Sequence, residues 1–412
     1  MSLRRRFPLL FNSGYATISA ASNVLLLVLL TLAGRYLSAA DYGRFSYAIA
    51  LTTIVETLMD SGLGQVTIRA VARERDSADR LFRDILGLKL FWVAVGLLVL
   101  VVVTPVLRHD PVVIRLCYIV GISSAVRSYL MTARGLLQGL DRFDLEAAIV
   151  VADRVVLLAA GAVALIGGFG LFGLAAAFVA ARLATLLGTT VLLGGVVGSL
   201  RPRFHMPTWR DLQRAALPLG LFMIAVNLYA YIDTVILGFI STDVEIGWYA
   251  AAYRVYEGLT YLPSIMAAVV SPRLSFLFVN DRIAHRRLLW RALGATAAAG
   301  AVVGAIGVLA ARFVLVLLFG AQYEHGTAAL QILAAGAVFV FCTWILHAAA
   351  ISTNLDRRLF GTTAVGLVVN VGLNLVFIPR WGIAGAAAAT VLAEAVTVGL
   401  LLAQVARRVG VR

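Results

Sequence analysis

Apolar segments of membrane-spanning length follow one another along the chain and limit its fold more than any other feature. A bilayer core of about 30 Å needs roughly 20 mostly apolar residues per helix. Because 61% of the 412 residues are apolar and only 14% are charged, the chain has too few charges to cover a water-facing surface, where about 25% is usual. The sequence therefore predicts an all-α integral membrane protein of about 12 transmembrane helices, at 12–34, 45–68, 86–107, 112–133, 146–167, 171–198, 215–239, 247–271, 293–319, 327–352, 359–378 and 382–405.

Arginines in the gaps between these segments give the expected orientation. They concentrate in alternate gaps, which by the positive-inside rule predicts a multi-pass protein with both termini in the cytoplasm. The arginine-rich composition, with a single lysine, indicates a bacterial source and hence a bacterial cytoplasmic (inner) membrane. Arg4-Arg5-Arg6 precedes an apolar run too long for a signal peptide, so we expect a retained first helix. The net charge of +14 lies in these gaps and not on a folded basic face, so no nucleic-acid partner is expected.

The two halves of the chain resemble each other. A shift of 204 residues aligns Asn23 with Asn227, Gly34 with Gly238, Asp41 with Glu245 and Gly43 with Gly247. Six helices per half is an even number, so both repeats enter the membrane from the same side and form a parallel repeat of two six-helix bundles around a central cavity. We predict an N-terminal lobe over 1–200, a cytoplasmic linker over 201–214 and a C-terminal lobe over 215–412.

Acidic residues at membrane depth are functional candidates because an ionisable group there costs several kcal/mol. Glu56 and Asp60 lie four apart on one helical face, which suits a proton or cation site unless an arginine of a neighbouring helix pairs with one of them. Asp233 is an isolated acid, and Glu257 lies three residues from Arg254, with which it forms either an ion pair or part of a cavity wall. We interpret these four acids as candidate ion-coupling residues.

Cationic, aromatic and amide side chains within the spans are candidates for substrate binding. Arginine matches phosphate oxygens, and aromatic rings pack on sugar faces. The predicted substrate-binding residues are Arg254, Tyr253, Tyr249, Arg127, Arg182, Asn23 and Asn227. Cys117 and Cys342 lie in apolar runs, which indicates small buried side chains. The sequence predicts no catalytic residue, metal or cofactor, and hence no enzyme.

Several short motifs along the whole chain resemble those of a known family. They are Leu37-Ser-Ala-Ala-Asp-Tyr-Gly-Arg-Phe-Ser46, Asp60-Ser-Gly-Leu-Gly64, Ile232-Asp-Thr-Val-Ile-Leu-Gly238, Val244-Glu-Ile-Gly-Trp-Tyr-Ala-Ala-Ala-Tyr-Arg254, Leu262-Pro263, Asn374-Leu-Val-Phe-Ile-Pro379 and Gly382-Ile-Ala-Gly-Ala-Ala-Ala-Ala389. In order and spacing they are similar to oligosaccharide flippases, the Wzx-type polysaccharide biosynthesis exporters of the multidrug/oligosaccharidyl-lipid/polysaccharide (MOP) superfamily.

The resemblance implies a function and partners. It implies translocation of an undecaprenyl-pyrophosphate-linked oligosaccharide repeat unit, for polysaccharides such as O-antigen or exopolysaccharide, by alternating access coupled to H⁺ or Na⁺. It also implies a monomer in contact with membrane lipid, a polymerase and a chain-length regulator as partners, and a phosphate-binding role for Arg254. The alternatives are a multidrug/organic cation antiporter of the same superfamily, an integral-membrane glycosyltransferase and a scaffold of a synthesis complex.

Overall fold

The chain is almost entirely helical in a computed structural model, which describes residues 14, 15, 18, 19 and 21–410, the side chains of residues 356 and 357 excepted. Within these residues there is no β-strand. The α-helices are α1 (Asn23–Tyr36), α2 (Ala39–Asp60), α3 (Leu63–Arg73), α4 (Ala78–Leu107), α5 (Pro111–Gly139), α6 (Phe143–Ile166), α7 (Gly170–Gly194), α8 (Met206–Ile240), α9 (Asp243–Asn280), α10 (Arg282–Phe319), α11 (Thr327–Ala335), α12 (Ala337–Ser352) and α13 (Asp356–Val409).

The helices account for the predicted membrane spans. In the described part of the chain, eight helices are long and apolar enough to cross a bilayer, and the bent pair of α11 and α12 raises the number to nine. Three further predicted spans are not counted separately among these helices, each for its own reason. The helix α2 carries four charged residues, α1 belongs to a span whose predicted start lies outside the described residues, and α13 covers two predicted spans. The all-α integral membrane fold is confirmed.

Four predicted spans differ in their course. The span predicted at 45–68 is interrupted because Ser61 (φ 46°) and Gly62 (φ 78°) adopt left-handed conformations that end α2. The span predicted at 327–352 bends by 42° between α11 and α12, at Gly336. The spans predicted at 359–378 and 382–405 are continuous except at Gly382, whose φ of 54° and ψ of −132° are not helical.

The described residues form two compact units. The first contains the residues up to Leu37 and Tyr47–Asn227, and the second contains Ser38–Ser46 and Leu228–Arg412. In the first unit, Leu63, Ile85 and Trp209 belong to one buried apolar cluster. In the second unit, a comparable cluster includes Leu274, Ile345 and Val405.

A reciprocal glycine contact within the second unit supports the internal repeat. A Cβ atom on Gly43 would overlap the carbonyl oxygen of Asp243, and one on Gly247 would overlap that of Ala39. Gly43 and Ala39 are the equivalents of Gly247 and Asp243 at the repeat shift of 204 residues. The contact of Gly43 with Asp243 and the contact of Gly247 with Ala39 are therefore equivalent under the repeat. A local two-fold axis produces this reciprocal pattern. Arg44 Nε also lies 2.8 Å from Asp243 Oδ2.

Candidate functional site

A polar cavity of about 300 Å³ lies within the first unit, among α2, α3, α5 and the first half of α8. On α5, Arg127, Met131, Arg134 and Gln138 follow one another at spacings of four, three and four residues, so they share one face. On α2, Glu56 and Asp60 face the same space, and Asn227 of α8 also lines it. Four of the predicted site residues are therefore brought together here: Glu56, Asp60, Arg127 and Asn227.

Arg127 and Glu56 form an ion pair between α5 and α2. Arg127 Nε and Nη2 lie 2.8 and 2.7 Å from Glu56 Oε2. The arginine side chain is 32% exposed whereas that of Glu56 is 4% exposed. The guanidinium group of Arg127 is therefore exposed to the cavity, whereas the carboxylate of Glu56 is buried.

Arg134 and Glu146 repeat this arrangement two helical turns further along α5. Arg134 Nη2 lies 2.6 Å from Glu146 Oε1, and the side chains are 31% and 2% exposed. Ser19 Oγ donates to the other carboxylate oxygen at 3.0 Å, and Gln138 Nε2 donates to Oε1 at 3.3 Å. With its acceptor atoms occupied, Glu146 holds Arg134 in place without facing the cavity itself.

A second ionic cluster lies on α6 and α7. Asp153 pairs with Arg182 and lies 3.5 Å from Arg154, whose Nη2 donates to Asn23 Oδ1 at 3.1 Å. A smaller cavity of about 170 Å³ is lined by all three of these charged residues and by Arg127 and Arg134. Arg182 and Asn23, both predicted for substrate binding, thus belong to the same region as Arg127.

Asp60 and Lys89 form a pair of the opposite polarity. Lys89 Nζ lies 2.7 Å from Asp60 Oδ1, with side-chain exposures of 0% and 14%. Here the cation is hidden and the carboxylate faces the cavity. Lys89 is the one lysine among 35 basic residues, and the others are arginines.

The charge that this region presents to a ligand is cationic. Each of the four carboxylates (Glu56, Asp60, Glu146 and Asp153) has a basic partner, and Arg154 adds a fifth basic residue to Arg127, Lys89, Arg134 and Arg182. The two most exposed of these side chains are arginines, whose planar forks match the oxygens of a phosphate or diphosphate. Such a surface is suited to an anion, with one accessible carboxylate at Asp60.

The remaining predicted residues lie in the second unit. Tyr249 is fully buried and donates from its hydroxyl to Asp233, which is 3% exposed. Arg254 pairs with Glu257 on the same helix, and the Tyr253 ring lies 5.9 Å from that of Tyr249. These residues do not line the cavity of the first unit, and their roles in substrate binding and ion coupling stay predictions.

The site residues predicted from the sequence do not include Arg134, Glu146 or Lys89. The predicted span at 112–133 stops one residue before Arg134, whereas α5 continues to Gly139. Its spacing of seven residues from Arg127 was the available signal, since that spacing puts both on one face. Within the described residues, no group of three or more histidines, cysteines, aspartates and glutamates is arranged to hold a metal ion.

Comparison with protein families identifies the class. A family model described as "Polysaccharide biosynthesis protein" matches residues 10–278, more than half of the chain. The chain therefore belongs to this family of polysaccharide biosynthesis proteins. It is 30% identical over 179 residues to the probable flippase AglR of Haloferax volcanii. That similarity spans 42% of this chain and 37% of AglR, so the matched region is little more than a third of the relative's length.

Solved structures of other membrane proteins share this fold. The inward closed conformation of the lipid II flippase MurJ matches with a TM-score of 0.74 and 14% identity, over 95% of this chain and 87% of that one. An inward-facing multidrug resistance MATE transporter of the MOP superfamily matches with a TM-score of 0.76 and 15% identity, over 94% of each chain. At these identities the matches show the fold alone, and the predicted all-α transporter-like fold is confirmed.

Proposed function

We propose that the protein is a flippase that moves an undecaprenyl-pyrophosphate-linked oligosaccharide from the cytoplasmic to the outer leaflet of a bacterial inner membrane. Arg127 and Arg134 carry this proposal, because each exposes its guanidinium to the cavity while its carboxylate partner is at most 4% exposed. A diphosphate offers oxygens to both arginines, and Asn23 and Asn227 would donate to sugar hydroxyls. The probable flippase AglR, similar over part of the chain, supports the same function.

The ion-coupling role is best assigned to Asp60. Its carboxylate is the more exposed member of the pair with Lys89. Asp60 is therefore more accessible to a cation or proton in the cavity than Glu56, which is covered by Arg127. Either H⁺ or Na⁺ would compete with Lys89 for this carboxylate, which links ion entry to the local arrangement of α2 and α4.

An organic cation antiporter is the second candidate, because the MATE transporter shares the fold as closely as MurJ does. The two functions make opposite demands on the cavity. An organic cation is favoured by accessible carboxylates and disfavoured by exposed guanidinium groups at short distance. The arginine-rich surface of the first unit therefore favours the flippase.

A transport experiment separates the two candidates. Proteoliposomes would contain an undecaprenyl-pyrophosphate trisaccharide with a fluorescent sugar, and an impermeant quencher would report which leaflet it occupies, with and without a proton or sodium gradient. We expect translocation by the wild-type protein and a loss of at least tenfold in Arg127→Ala. Arg312→Ala is the matched control, because Arg312 pairs with Glu324 at an exposed position (70% and 45%).

Other outcomes bear on the individual assignments. A loss in Arg254→Ala equal to that in Arg127→Ala would support a second phosphate contact in the second unit. An unchanged rate would leave Arg254 as a structural partner of Glu257. Gradient-driven efflux of an organic cation dye, without movement of the lipid-linked sugar, would contradict the flippase.

A further inference from the structure

A second concave surface of the first unit has a different character from the cationic cavity. It is a groove of about 430 Å³ between α4 and the first turns of α8, and we call it the α4–α8 groove. Its apolar lining comes from Leu88, Phe91 and Trp92 on α4 and from Met206, Trp209 and Leu217 on α8. Arg210, Gln213 and Arg214 complete the lining. An apolar groove with two cations on one of its walls is amphipathic.

The floor of the groove is held by hydrogen bonds and ring contacts. Trp209 is 9% exposed and donates from Nε1 to the carbonyl oxygen of Asp84 at 3.0 Å. Trp92 Nε1 donates to Gln213 Oε1 at 2.7 Å. The Phe91 ring lies 5.7 Å from that of Trp92 and 6.4 Å from that of Trp209. These contacts keep the groove open in one shape, so a ligand need not order it.

Arg210 and Arg214 can bind an anionic ligand because neither guanidinium group is neutralised by a carboxylate in the described part of the chain. They lie one helical turn apart, both are exposed, and no carboxylate among the described residues pairs with either. The neighbouring Asp211 is exposed but is turned by about 100° around the helix from Arg210. Two unpaired guanidinium groups on one face favour a ligand with a phosphate group.

The position of the groove matches the headgroup boundary of a bilayer. Arg203 N donates to the carbonyl oxygen of Arg83 at 2.9 Å, so the arginine-rich segment before α8 lies at the same end of α4. From Arg210 to Leu217 the helix rises by about 10 Å, towards the apolar part of α8. Leu217, which is 49% exposed, follows the arginines in the direction of the bilayer core. Phe91, which is 51% exposed, lies level with Trp209, whose ring is 6.4 Å away.

From this geometry we infer that the α4–α8 groove binds an anionic phospholipid of the leaflet at the arginine-rich end of the helices. The phosphate lies on Arg210 and Arg214, and an acyl chain lies along Phe91 and Leu217. Basic residues beside apolar helix surfaces at the cytoplasmic boundary recognise anionic lipid headgroups in this manner. The inference does not depend on which substrate the cavity carries, since the two surfaces have different linings.

Tryptophan fluorescence tests this site because Trp92 and Trp209 line it. The probe is phosphatidylglycerol brominated on its acyl chains, compared with brominated phosphatidylcholine in vesicles of the same thickness. The protein would keep these two tryptophans and carry phenylalanine at the others, Trp248, Trp290, Trp344 and Trp381. We expect half-maximal quenching at a lower mole fraction of the anionic lipid than of the zwitterionic one.

Two double variants locate the effect. Each basic side chain near an anionic headgroup strengthens binding by roughly fivefold, so Arg210→Gln with Arg214→Gln should lower the preference by roughly 25-fold, which abolishes it. Arg287→Gln with Arg291→Gln removes the same charge at the same spacing from α10, and it should leave the preference unchanged. Lysines in place of Arg210 and Arg214 should retain most of it.

The contradicting results are equally specific. Equal quenching by both lipids, or an equal loss of preference in the α10 variant, would overturn the site in favour of general surface charge. If the variant with two tryptophans does not fold, native mass spectrometry of the wild-type protein gives the same answer. Retention of phosphatidylglycerol must then fall in the Arg210 and Arg214 variant and persist in the α10 variant, and any other pattern refutes the inference.

Discussion

The pair of Lys89 and Asp60 allows a quantitative test of the ionic arrangement in the first unit. Lys89 is fully buried and its ammonium lies 2.7 Å from Asp60 Oδ1. Lys89→Met keeps a side chain of similar length but leaves the carboxylate without this partner. Removing one member of a buried pair typically costs about 3–5 kcal/mol. Because Asp60 is 14% exposed to the cavity, water recovers part of this loss, and we expect the lower end, about 3 kcal/mol.

The double variant supplies the decisive comparison. Lys89→Met combined with Asp60→Asn removes both charges, and a neutral pair of similar volume is often as stable as the buried ion pair itself. We therefore expect the double variant to regain at least about 2 kcal/mol of the loss, as a positive coupling energy in the mutant cycle. The assay is equilibrium unfolding by dodecyl sulfate in mixed micelles, followed by tryptophan fluorescence.

An exposed ion pair is the control for this cycle. Arg75 and Asp141 pair with side-chain exposures of 52% and 55%, and exposed pairs are worth about 0–1 kcal/mol. Arg75→Met should thus change stability little. A Lys89→Met variant as stable as the wild-type protein, or a double variant no more stable than Lys89→Met alone, would refute the stabilising role of this ion pair.

Two further predictions concern the second unit. Gly43→Ala should destabilise the protein by about 1–3 kcal/mol, because its Cβ would overlap the carbonyl oxygen of Asp243. Gly188→Ala on α7 is the control and should leave stability unchanged, because the space around its Cβ position is open. Thermal unfolding in detergent compares the two variants. Equal unfolding midpoints would contradict the close contact at Gly43. Tyr249→Phe removes a hydroxyl that donates to buried Asp233 and should cost about 1.5–3 kcal/mol. Tyr253→Phe serves as its aromatic control, and equal losses in the two variants would rule out a specific role for this hydrogen bond.

The sequence predicts the helices well because apolar length is a local property. Segments of 20 or more apolar residues leave a chain in lipid no alternative to a helix, since every backbone group must be hydrogen-bonded internally. The interruptions are harder to predict. Ser61-Gly62 is a typical turn dipeptide, but it lies within a long apolar pattern, which favoured one continuous span. The bend at Gly336 has no polar residue to mark it.

The site is predictable only in part, because pairing across helices joins distant positions. Glu56 and Arg127 are both conspicuous as charged residues in apolar segments, and a neighbouring arginine was one of two interpretations of Glu56. The sequence could not decide between them, since the partners are 71 residues apart. It also could not show that Arg127 is exposed and Glu56 covered. That difference depends on how α2 and α5 are rotated against each other.

The proposed flippase function depends on diphosphate binding by Arg127 and Arg134 in the cavity of the first unit. The most direct measurement is binding of a short isoprenoid diphosphate, geranyl diphosphate, to the purified protein by isothermal titration calorimetry, with tetraphenylphosphonium as the cationic comparison. Loss of hydrogen bonds to a charged group costs about 1.5–3 kcal/mol. Arg127→Gln and Arg134→Gln should therefore each weaken diphosphate binding by about 10- to 150-fold, and Arg312→Gln should leave it unchanged. Tetraphenylphosphonium binding that is tighter than diphosphate binding, or diphosphate binding that survives both cavity substitutions, would contradict the account.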